Sequence, residues 1–125
     1  MIVTKSDVAQ YLSDVFAAVI AGRYQISPRK KNQDIYIDYL FAEEDAKNVI
    51  LSLNEYDFSD AVQNDHPQHP EEILYIFGKD INLIPRYGGS EEAVSLYIKF
   101  NKLTNQYVIV ISLHKQEYPL TYKFK

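Results

Sequence analysis

The side chains best suited to chemistry lie in two short stretches. Tyr97 and Lys99 sit two apart in the run Val94-Ser95-Leu96-Tyr97-Ile98-Lys99-Phe100, and Ser112-Leu113-His114-Lys115 closes the apolar run Tyr107–Ile111. A phenol, an ammonium and an imidazole can between them move protons and hold negative charge. Cutting RNA without a metal takes a base for the 2′-hydroxyl proton, an acid for the leaving oxygen and a cation for the phosphorane charge. A free imidazole titrates at ~6.5 and suits either proton role. His114 is therefore the first candidate, with Glu72 as its counterpart. Lys99 or Lys115 would meet the phosphate, and Tyr97 would stack on a base or donate a hydrogen bond. Each has a plainer use as well: Tyr97 as a cross-strand packing partner among 11 tyrosines, Lys99 and Glu72 as solvated surface, His114 as a strand end.

These residues need a sheet to hold them. In the first run Val94, Leu96, Ile98 and Phe100 alternate with Ser95, Tyr97 and Lys99, which is a strand with one buried face. Tyr107 to Leu113 is β-branched and apolar, as in a strand covered on both sides. The polar link Asn101–Gln106 makes the pair a hairpin, and we place it at the centre of the sheet.

The remaining elements follow in order. Thr4 caps a helix with Asp7 at its third position, and Val8, Tyr11, Leu12, Val15, Phe16, Val19 and Ile20 form its apolar stripe up to Gly22. Tyr24–Ser27 reads as a short strand. Pro28–Gln33, with Arg29-Lys30-Lys31, reads as a solvated loop. Ile35, Ile37 and Tyr39 alternate as a strand would. Glu43-Glu44-Asp45 opens a second helix, with Ala46, Val49, Ile50 and Leu53 buried. Asn54 starts a short helix or turn through Val62. Ile73–Phe77 is a strand ended by Gly78, with Ile81–Leu83 as its hairpin partner, and Leu120–Phe124 is a last alternating strand. Helices first and an antiparallel sheet of about four to six strands after make an α+β chain, expected as one domain over residues 1–125.

Bulk properties narrow the function. The absence of cysteine excludes disulfides and thiolate metal sites. Asp65, His66 and His69 lie close together, but their spacing matches no standard metal site, and no cofactor is expected. The sequence shows no signal-peptide pattern and no apolar run long enough to span a bilayer, so a cytoplasmic, non-membrane protein is expected. The net charge of −4 argues against broad nucleic-acid binding. Its distribution is uneven, however: residues 1–85 carry seven Lys/Arg and fourteen Asp/Glu, residues 86–125 six and three. A local basic face can still bind phosphates. Lys115, Lys102 and Arg86 belong to that basic half and are the candidate substrate-binding residues.

The order Val49-Ile50-Leu51-Ser52-Leu53, Tyr56-Asp57-Phe58, Asp65-His66, Leu74-Tyr75, Leu96-Tyr97-Ile98-Lys99 and Ser112 resembles the MqsR family of toxin–antitoxin ribonucleases, which have a RelE-like fold. The similarity runs from about Ala42 to Lys115. It implies a small metal-independent endoribonuclease, an mRNA interferase, silenced by a cognate antitoxin. On this resemblance Tyr97 and Lys99 match the family's sheet tyrosine and lysine. Glu72 stands where the family has a glutamine, His114 where it has a lysine, and Asp60 near the place of another lysine. The alternative expectation is a noncatalytic RelE-like interaction module, from phage or a mobile element, that uses the same sheet to bind a protein.

Overall fold

The computed structural model describes residues 2–125. Helix α1 (Lys5–Ile20) begins at a reciprocal cap: the Asp7 amide donates to Thr4 Oγ1 at 3.1 Å and the Thr4 amide to Asp7 Oδ2 at 2.9 Å. It ends at Gly22, whose φ of 75° is the left-handed conformation a side chain would strain. There follow β1 (Tyr24–Ile26), α2 (Lys30–Asp38), α3 (Glu43–Leu51), a 3-10 turn (Glu55–Asp57), β2 (Phe58–Gln63), β3 (Ile73–Leu83), β4 (Glu92–Lys102) and β5 (Val108–Lys115). The five strands form one mixed sheet in the order β1-β5-β4-β3-β2, with β1 parallel to β5 and the other pairs antiparallel. The chain is thus α+β, with N-terminal helices packed on the sheet. No helix among the described residues is long and apolar enough to cross a membrane.

One face of the sheet carries the core. Phe77, Ile98, Phe100, Val108 and Val110 are fully buried there against Val8, Val15, Val19 and Ile50. Phe77 meets both Phe58 and Phe100 edge-on, with ring centroids 5.6 and 5.7 Å away. The other face carries Ser95, Tyr97 and Lys99.

Five local readings are corrected, most of them by a tertiary contact. The loop Pro28–Gln33 and the strand Ile35–Tyr39 are largely one helix, α2. Only Asn32 and Ile35 of it are buried, and the Ile35/Ile37/Tyr39 alternation is incidental, since Ile37 is exposed. What holds α2 is Asn32. Its Nδ2 donates to the carbonyls of Ser27 (2.8 Å) and Ile111 (3.0 Å), and its Oδ1 accepts from the Leu113 amide (2.9 Å). Helix α2 thereby covers the edge of β5 just where β1 stops. Gly78 does not end a strand: β3 runs through it, so Ile81–Leu83 continues the same strand rather than pairing with it, and Gly78 lacks a side chain because the Tyr122 phenol occupies that space. The turn after Asn54 is only three residues long, and Phe58 onward is strand. Leu120–Phe124 is not a strand but part of a strap.

That strap, residues 116–125, crosses the open face of the sheet from β5 to β2. The Gln116 amide donates to the Ser95 carbonyl and its side chain to the Leu96 carbonyl. Tyr122 then lies over Gly78, the Lys123 amide donates to the Phe58 carbonyl at 3.1 Å, and the Phe124 ring stacks 5.9 Å from Phe58.

Candidate functional site

The open face of the sheet becomes a site because of one extra residue in β5. Val108 and Val110 point into the core, and strict alternation would send Ser112 and His114 after them. The pairing with β4 instead skips a residue: Val110 faces Phe100, but Ser112 faces Lys99. Ile111 is the bulged residue, and it reverses the direction of everything beyond it. Leu113 turns inward and is buried, while Ser112 and His114 join Lys99 and Tyr97 on the open face. Asn32 bonds the carbonyl of Ile111 and the amide of Leu113, so it braces the bulge on both sides.

The result is a cup of about 410 Å³. Its floor is Tyr97 and Lys99 from β4 with Ser112 and His114 from β5. One wall is Arg29, Lys30 and Lys31 at the start of α2, and another is Glu117 and Tyr118 of the strap. The rings of Tyr97 and His114 stack with centroids 5.3 Å apart and planes 16° apart. His114 Nδ1 lies 2.8 Å from the Lys115 carbonyl oxygen. A carbonyl only accepts, so the contact puts the proton on Nδ1 and leaves a lone pair on Nε2 of the neutral ring. Burial raises the Tyr97 phenol above its ordinary range, helped by Tyr118 and Glu117, so it stays a donor.

Burial holds the Lys99 ammonium below its ordinary 10.5, and the Arg29 guanidinium pushes it further down, against a smaller pull from Asp65. In the alkaline window ending at 10.5 the unfolded chain carries more protons at this lysine than the folded one, so Lys99 makes stability rise with pH there. An anion seated beside Lys99 opposes the shift, so its binding takes up protons. We expect affinity for a single-stranded oligonucleotide to fall as pH rises through that window, and Lys99→Arg to flatten the fall. Anisotropy titrations checking this should give parallel curves for both proteins if Lys99 does not meet the anion.

Of the residues chosen from sequence, His114, Tyr97 and Lys99 come together. Glu72 does not. Ile76 faces Lys99 across the sheet, and Glu72 lies four residues further along, roughly 13 Å at strand spacing. Its carboxylate accepts from Asn101 Nδ2 at 2.9 Å and Asn64 Nδ2 at 3.0 Å, and these bonds, the Asn101 one foremost, hold it below the usual carboxylate range. The three candidate phosphate binders also lie outside the cup, in fold contacts. Lys102 Nζ bonds Asp14 at 2.6 Å and caps the Tyr11 ring on the helix side. Lys115 points away from its neighbour His114 and bonds the Tyr39 hydroxyl at 3.0 Å. Arg86 donates to the carbonyls of Tyr36 and Tyr39 at the end of α2. Arg29, Lys30 and Lys31 stand in the place they were expected to fill. The signal for them was the cationic run itself, and the residue that gives it a role is the buried Asn32 beside it.

A separate group lies in the exposed loop before β3, where ligating atoms of His69, Glu71 and Glu72 come within 4.8 Å of one another. His66 accepts from the Gln68 amide through Nδ1, which puts its proton on Nε2 and leaves no free lone pair for a metal. Compared by sequence with known protein families and with curated proteins, the chain matches none of them.

Proposed function

We propose that this protein is a metal-independent endoribonuclease, an mRNA interferase of the RelE-like type, held inactive in the cytoplasm by a cognate antitoxin. The observation that carries the reading is the convergence of His114, Tyr97 and Lys99 in one cup walled by Arg29 and Lys31. The resemblance to the MqsR family supports it from the other side.

The chemistry uses only these side chains. His114 Nε2 takes the proton of a 2′-hydroxyl, and the freed oxygen attacks the adjacent phosphorus. Lys99 and Arg29 hold the charge that gathers on the phosphoryl oxygens. The bond to the 5′-oxygen breaks as the Tyr97 phenol gives up its proton, and solvent restores it. The products are a 2′,3′-cyclic phosphate and a 5′-hydroxyl. Tyr97 is suited to the acid role because its raised pKa keeps it protonated until an alkoxide develops beside it.

The test is incubation of purified protein with single-stranded RNA in a chelator, with the new ends mapped chemically. Cyclic phosphate ends and growth arrest on expression, relieved by the product of a neighbouring gene, are the expected results. RNA left whole by folded protein, with expression harmless, sinks the nuclease reading and leaves a noncatalytic interaction module.

A further inference from the structure

The cup holds more positive charge than its own acids neutralise. Lys30 is turned back onto its helix, with Nζ 3.2 Å from Asp34. Among the described residues, Arg29 and Lys99 have no carboxylate oxygen within ion-pairing distance, and they repel each other. The fourth cation, Lys31, is paired across the mouth with Glu117 of the strap. Among the described residues, Glu117 is the only carboxylate lining the cup. It reaches Lys31 from a segment 86 positions later in the chain, and both side chains are more than half exposed.

We infer that Glu117 occupies the place of a ligand phosphate on Lys31, so that the strap is an internal competitor and the Lys31–Glu117 pair is a latch that a phosphodiester opens. The inference rests on the phosphate-binding part of the reading above, not on cleavage. A phosphate oxygen and a carboxylate oxygen offer the same acceptor to an ammonium. A phosphate bound at Arg29 and Lys99 brings its charge up to Glu117, and the carboxylate is driven off the lysine. The strap allows this because its fixings lie on either side of the latch. Gln116 is tied to the Ser95 and Leu96 carbonyls, and Tyr122 to Phe124 are tied to Gly78 and Phe58. Between them, residues 117–121 make no other hydrogen bond within the described chain. That segment moves when the latch opens, and the exposed Tyr118 moves with it.

The probe is a fluorescein-labelled single-stranded hexaribonucleotide made uncleavable by 2′-O-methyl groups. Glu117→Gln is expected to bind it about fivefold more tightly than wild type, the size of one close charge interaction partly screened by solvent. Glu91→Gln, an equal change of net charge just before β4, should move affinity by less than about 1.5-fold on the same grounds. Lys31→Ala should weaken wild type about twofold and the Glu117→Gln protein more, since there Lys31 meets the probe without first giving up Glu117. Hydrogen exchange over residues 117–121 should rise both in Glu117→Gln and on probe binding, with 122–124 unchanged. Unchanged or weaker binding by Glu117→Gln overturns the latch, as does an equal effect of Lys31→Ala in both backgrounds. Probe binding with this pattern but no cleavage of natural RNA keeps the latch and removes only the nuclease. No probe binding by any variant removes the phosphate site and the latch with it.

Discussion

On the proposed ribonuclease reading, His114→Ala is expected to lower the rate of RNA cleavage by a factor on the order of 10²–10⁴, the usual contribution of a positioned general base. We expect this because three contacts fix how the ring is presented. The Lys115 carbonyl fixes the tautomer, the Tyr97 ring fixes the plane, and the bulge at Ile111 fixes the side of the sheet. Binding of an uncleavable oligonucleotide should change little, within roughly threefold, because Arg29, Lys31 and Lys99 carry the charge of the cup. A loss of rate without loss of affinity marks a group that acts on the reacting atoms. Single-turnover rates beside anisotropy titrations separate the two quantities. If the rate stays within tenfold of wild type, His114 is not the base.

The second large effect is on stability. Asn32→Ala should destabilise the protein by about 3–5 kcal/mol. The side chain is 1% exposed and serves two partly buried carbonyls and one buried amide. Each buried polar group left alone costs about 1–3 kcal/mol, and partial relaxation keeps the total below the simple sum. Urea unfolding measures this directly; a change under 1 kcal/mol would mean the three bonds are not what joins α2 to β5. The substitution should also weaken oligonucleotide binding under conditions where the variant is still folded. Asn32 braces the bulge that presents His114 and anchors the helix that presents Arg29 and Lys31, so one deletion disturbs both sides of the cup. Asn32→Asp should be at least as harmful, since it keeps the acceptor for Leu113 but faces two carbonyls with a carboxylate.

Elements whose signal is local were legible in the sequence. The capped helix α1 and the hairpin of β4 and β5 carry their own periodicity, and they came out at nearly the right bounds. Helix α2 did not, because its nine residues hold one buried apolar side chain and its stability comes from an asparagine reaching β5. Gly78 was misleading for a related reason: it reads as a breaker until Tyr122 is placed over it. In the site, Tyr97 and Lys99 followed from alternation alone. His114 reached the right face only through a bulge that alternation argues against. Arg29–Lys31 could not be assigned to the cup, since the contact joining them to it spans about two-thirds of the chain. Glu72 failed on register: a residue just before a strand lies wherever the pairing of that strand puts it.

The parallel pairing of β1 with β5 has a consequence for when this protein becomes what it is. Tyr24 to Ile26 find their partners only at Val108 to Val110, and the cup's two walls come from residues near 30 and near 117. Such distant partners make a slow, late step in folding. On a ribosome the chain must have emerged past β5 before the cationic arm has a floor to stand over. A translation product cut short before β5 therefore has no assembled cup.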